Sequence, residues 1–215
     1  MGIYLNPGNC GFQRIINSEY VDKTELIRLI NDAIGTVDNL ICVSRPRRFG
    51  KSFAAQMLCA YYDCSCDSHK LFGDKEIART EGYLAHLNQY HVISIDVAGF
   101  VSAVKKQHKA IGNVPELIEG RICEELVSLY PELGTKGSLV DCLIRCVEKT
   151  GGQFVFVIDE WDAPIREAKG DTNAQTAYLN LLREWFKNNN YTKTNDKTPN
   201  LFCRKAERRE LWIIR

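Results

Sequence analysis

The sequence predicts an α/β fold: a mainly parallel β-sheet with helices on both faces, three layers in all. Three observations carry this. Short apolar runs at residues 40–44, 91–96 and 154–158 have the length and the β-branched content of strands buried on both sides. Segments with apolar residues recurring every three to four positions lie between them. Strand and helix patterns alternate, which favours parallel strands joined by helical crossovers.

Taken in order, residues 23–33 place Leu26, Ile27, Leu29 and Ile30 at helical spacing behind the turn-forming Asp22. Leu40-Ile41-Cys42-Val43-Ser44 follows as a strand, bounded by Asp38-Asn39 and by Arg45-Pro46. Residues 51–62 return to a helical pattern. After a polar loop, 91–96 reads as a second strand closed by Gly99. Residues 114–129 and 138–149 are expected to be amphipathic helices. A Gly151-Gly152 break then leads into 154–158, the clearest buried strand in the chain. Residues 174–187 put Tyr178, Leu181, Leu182, Trp185 and Phe186 on or near one helical face.

No internal repeat is visible. Beyond Asn188 the composition turns to Asn, Thr, Lys and Asp, and then to the basic run Arg204-Lys205-Ala206-Glu207-Arg208-Arg209. The expected organisation is a core of residues 1–190 and a polar, basic tail, 191–215. The tail reads as loop or disorder with room for one short strand at 211–214.

Composition narrows the function. With 215 residues, 45% hydrophobic and 26% charged, the chain can bury a substantial core. Lys+Arg 28 against Asp+Glu 27 leaves +1, which excludes a histone-like protein or a polybasic membrane binder. No apolar run approaches the ~20 residues that span a bilayer. The start, Met1-Gly2-Ile3-Tyr4-Leu5-Asn6-Pro7, has neither the basic nor the apolar region of a signal peptide, so the expected location is the cytoplasm. The nine cysteines are odd in number and dilute. Cys42, Cys59, Cys123, Cys142 and Cys146 sit in apolar stretches, as small hydrophobes do. The cluster of Cys59, Cys64, Cys66 and His69 lacks knuckle spacing and a second ligand pair, so reduced thiols are expected rather than a zinc site.

Two motifs carry chemistry. Ser44-Arg45-Pro46-Arg47-Arg48-Phe49-Gly50-Lys51-Ser52 lies between a predicted strand and a predicted helix. A phosphate-binding loop needs backbone N–H groups and a helix start aimed at the anion, a lysine for the β/γ oxygens, and a hydroxyl for Mg²⁺. Gly50, Lys51 and Ser52 supply these at the right place, although Arg45 stands where the usual loop has its first glycine. Arg47, Arg48, Phe49 and Phe53 complete the expected nucleotide-binding set. The bland reading is a solvated basic loop before an ordinary helix. The second motif is the apolar run 154–158 followed by Asp159-Glu160-Trp161-Asp162-Ala163-Pro164. The strand delivers Asp159 to its C-terminal end, where open α/β sheets bind ligands, and Asp159 is assigned with Ser52 to Mg²⁺. Glu160 is assigned as the base that orients and deprotonates water, with Lys51 as its catalytic partner on the phosphates. A strand ending in an acidic turn is the bland alternative; both motifs in order favour ATP and Mg²⁺.

With Tyr20-Val21-Asp22-Lys23-Thr24, Leu71-Phe72 and Val92-Ile93-Ser94-Ile95-Asp96, these motifs resemble the prokaryotic AAA-ATPase-like family over about residues 3–190. The Arg-Pro-Arg-Arg-Phe-Gly-Lys-Ser loop is distinctive of it, and makes the missing first glycine a family trait. The resemblance implies a P-loop ATPase core with a three-layer α/β/α sandwich, which longer relatives often join to a restriction-endonuclease-like nuclease. Trp161 stands where the family more often has tyrosine. After about Asn190 the chain leaves the pattern, and the next strand, which in such ATPases carries a polar γ-phosphate sensor, is not recognisable. The expectation is therefore a C-terminally truncated core.

Other residues are weighed in the same way. The resemblance implies a nucleotide-proximal role for Asp22, Lys23 and Thr24, while Asp22 reads equally as an N-cap; Asp96 either faces the site or caps a loop; Asp162 either supports Glu160 or shapes the turn before Pro164. Trp161 and Trp185 read as core. Two rivals to an ATP hydrolase are a nucleotide-sensing switch with little hydrolysis and a nucleic-acid-binding module built on Arg45, Arg47, Arg48 and the basic tail. A homo-oligomer or a protein partner is left open, and no membrane is expected.

Overall fold

Strand β3, Phe154–Asp159, is apolar at five consecutive positions because both its faces are covered. Phe154, Phe156 and Ile158 enter one hydrophobic cluster, while Val155 and Val157 enter another on the opposite face. This period-two division places the sheet between two helical layers. The computed structural model describes residues 2–36, 39–44, 50–134, 137–187 and 210–214, the last as backbone.

Strands β1 (Leu40–Ser44), β2 (His91–Asp96), β3 and β4 (Glu210–Ile214) form one sheet in the order β1-β4-β3-β2. The β2–β3 pair is parallel, with Asp96 opposite Asp159 at its end. β4 runs antiparallel to both of its neighbours, β1 and β3. The strands β1, β2 and β3 therefore share one direction, and their C-terminal ends lie on one edge. The sheet is α/β as expected, with one correction: its second position is an antiparallel strand.

That strand fills the room left for a short strand at 211–214 and begins one residue earlier, at Glu210. Leu211-Trp212-Ile213-Ile214 is a β-prone apolar run, and β1 and β3 each need a neighbour for their inner-edge backbone groups. Residues 191–209, including the basic run Arg204–Arg209, lie outside the described residues.

On one face pack α6 (Val97–Lys106), α7 (Val114–Leu129), α8 (Leu139–Thr150) and α10 (Thr172–Lys187). Helix α7 buries Val114, Ile118, Ile122 and Leu126 at i, i+4 spacing. Helix α8 begins with a capping box, in which Ser138 and Asp141 satisfy each other's backbone N–H groups, and ends at Gly151 with φ 66°. On the other face pack α1 (Cys10–Ile16), α2 (Glu25–Ala33), α3 (Lys51–Tyr62) and the short α4 (His69–Phe72). The single turns α5 (Tyr83–His86) and α9 (Ala163–Glu167) complete the set.

Three local differences have physical reasons. Gly99 does not close β2 but lies in the first turn of α6, where its N–H donates to the Asp96 carboxylate at 3.2 Å. Asp22 does not cap α2; its carboxylate accepts from Thr24 N–H and from Glu76 N–H, both at 2.9 Å, and so ties the helix start to a 3₁₀ turn at Glu76–Arg79. Cys59, Cys142 and Cys146 are buried as expected, but the Cys42 thiol is exposed. No helix among the described residues is long and apolar enough to cross a membrane.

Candidate functional site

The shared strand direction determines what meets at the sheet edge. β1 leads toward α3, and β3 ends in Asp159. Gly50 precedes α3 with φ 77°, a left-handed backbone that costs glycine little and most other residues more. Lys51 and Ser52 then form the first turn of α3. The Ser52 hydroxyl donates to Asp159 Oδ2 at 3.0 Å, joining the two motifs across a separation of 107 residues.

Three carboxylates crowd the same edge. Asp96 and Asp159 are register partners on adjacent strands, and Glu160 follows directly. Burial pushes the Asp159 carboxyl above its ordinary value, and the neighbouring Glu160 and Asp96 charges add to this. The Ser52 hydroxyl and the Glu160 N–H, the latter at 3.0 Å from Asp159 Oδ1, work against it. A hydroxyl and a half-buried carboxylate among further acids form an oxygen donor set of the kind a hard divalent cation takes. Among the described residues no group of three His, Cys, Asp or Glu side chains could hold a metal ion by itself.

Glu160 has φ 51°, a backbone conformation uncommon outside glycine and asparagine and found preferentially at functional sites. Its carboxylate accepts from Arg166 Nη2 at 2.6 Å, and Arg166 Nε lies 2.9 Å from Asp162 Oδ2. Asp162 thus supports Glu160 through Arg166 while also starting α9 before Pro164. The sequence reading missed Arg166. The signal was present as an Asp162–Arg166 i, i+4 pair at a helix start.

The remaining expected site residues divide plainly. Arg47, Arg48 and Phe49, with Arg45, lie outside the described residues. Phe53 is on α3 with its ring largely exposed. Asp96 caps α6 and at the same time stands beside Asp159. Trp161 and Trp185 pack against the core, and Trp185 Nε1 donates to Glu119 at 3.4 Å.

An α/β sheet whose aligned strand ends gather a helix start, a hydroxyl and several carboxylates defines a protein built to hold a ligand at that edge. The chain belongs to the family described as predicted AAA-ATPase, whose model matches residues 8–200. No curated protein and no solved structure matches it.

Proposed function

We propose that this chain is a P-loop domain that binds ATP with Mg²⁺ and hydrolyses it. The single observation that carries the reading is the 3.0 Å hydrogen bond from Ser52 to Asp159, because it unites the start of the loop helix with the end of the acidic strand. In this reading Gly50 lets the backbone approach the phosphates and Lys51 contacts the β/γ oxygens. Ser52 and Asp159 hold Mg²⁺, and the bound ion supplies charge neutralisation at the phosphates. Glu160 orients the attacking water and takes its proton. Mg²⁺-dependent ATP binding and turnover, measured on the purified chain, tests the whole assignment.

Lys51→Ala is expected to weaken ATP binding about 10- to 150-fold, since a charge-assisted contact is worth about 1.5–3 kcal/mol. Titration calorimetry reads the loss directly. An unchanged affinity would detach Lys51 from the phosphates.

A second reading, a nucleotide-sensing switch with little hydrolysis, draws on the Glu160–Arg166 ion pair. A carboxylate held by a guanidinium is less free to reach an attacking water. Both side chains are about one-third exposed, so the restraint is modest, ~1 kcal/mol at most. Arg166→Ala is accordingly expected to raise turnover up to about fivefold in a steady-state assay. A fall in turnover would mean that Arg166 positions the glutamate and does not restrain it.

A further inference from the structure

We propose that a cavity beside the first turns of α3 receives the base of the nucleotide whose phosphates meet Gly50, Lys51 and Ser52. The proposal rests on the nucleotide-binding reading above. The cavity holds about 260 Å³, and its two walls come from different elements. One wall is a single face of α3 and its cap, with Gly50, Phe53 and Met57 at i, i+3 and i+7. The other is the segment before α2, which contributes Tyr20, Val21 and Lys23. Gly50 belongs both to this wall and to the start of α3, so the cavity adjoins the residues assigned to the phosphates.

Its lining suits a flat heteroaromatic group. Phe53 is 55% exposed and Val21 is 72% exposed, and both line this one cavity, from different elements. Single exposed apolar residues are ordinary, but an aromatic ring and a branched aliphatic side chain lining one cleft offer apolar surface on which a base can pack. Tyr20 closes the inner side, with its hydroxyl 3.6 Å from the Met57 sulfur and 3.5 Å from Asp22 Oδ1. Burial pushes the Tyr20 phenol up to about 12, so it stays neutral. Lys23 is the bridge between base and phosphate: its Nζ lies 3.3 Å from where a Cβ on Gly50 would stand. A side chain at position 50 would therefore crowd the passage as well as strain the backbone.

The experiment compares Mg-ATP with Mg-tripolyphosphate, which carries the phosphates without a base, by titration calorimetry on the full chain. Wild type is expected to bind ATP more tightly than tripolyphosphate. Phe53→Ala is expected to lower ATP affinity about 5- to 150-fold, the range for loss of one base–aromatic stack, and to leave tripolyphosphate affinity unchanged. Val21→Ser, an uncharged change at an exposed position, should give the same split. Equal affinities for the two ligands in wild type would overturn the base site and leave the phosphate site standing. So would variants that lose both ligands in proportion, or that lose neither. If wild type binds neither ligand, the base site falls together with the reading on which it rests.

Discussion

Glu160→Gln is expected to bind Mg-ATP as tightly as wild type and to hydrolyse it about 10²–10⁴-fold more slowly, the usual share of a general base. The substitution keeps the size and the hydrogen-bonding shape of the side chain but removes its ability to take a proton. It touches neither the Ser52–Asp159 hydrogen bond nor the start of α3, so binding has no reason to change. The glutamine carbonyl oxygen still accepts from Arg166, which keeps the local turn in place. Parallel calorimetry and phosphate-release measurements separate the two effects. Equal turnover in the variant and wild type would make Glu160 a structural residue and remove the base from the mechanism.

Ile213→Pro is expected to destabilise the fold by about 3 kcal/mol or more, lowering the melting temperature by roughly 6–12 °C for a chain of this size. Ile213 is the register partner of Ile41 on one side and of Val157 on the other. Proline removes the backbone donor, and its ring disturbs the pairing of a strand that has neighbours on both sides. Leaving buried backbone groups without partners costs about 1–3 kcal/mol each. The loop-tail expectation gives the opposite outcome, an unchanged melting temperature on loss of these residues. Thermal unfolding followed by circular dichroism decides between them, and a shift of only a degree or two would remove Glu210–Ile214 from the sheet.

Much of this was legible in the sequence, for identifiable reasons. β2 and β3 announce themselves because strands covered on both faces are apolar at successive positions, and β1 does so by its apolar run alone, since it is only partly buried and Cys42 is exposed. The helices α7, α8 and α10 announce themselves through buried residues at helical spacing. Helix α6 was hidden because Val97, Val101 and Val104 look strand-like and Gly99 looks like a terminator, whereas tertiary burial and the Asp96 cap override both preferences. β4 was half legible: its apolar run allowed a short strand, but its place between β1 and β3 depends on what lies beside it, which its own five residues do not encode. At the site, the two motifs predicted the Ser52–Asp159 meeting. The restraint on Glu160 was not foreseen, because it depends on the left-handed backbone at that residue, which turns the carboxylate toward α9.

The position of β4 bears on the order in which a nascent chain matures. Among the described residues, β1 reaches the rest of the sheet through β4 alone, so Leu40 finds its partner in Ile214, far along the sequence. The parallel pair β2 and β3 can zip together as soon as residue 159 has left the ribosome. The strand that leads toward the start of α3 has no partner in the sheet until residues 210–214 emerge. Contacts of such long sequence separation form slowly. Synthesis would thus deliver the acidic edge of the sheet before β1 is paired, and a ribosome-bound chain stalled short of residue 210 would carry that edge beside an unpaired β1.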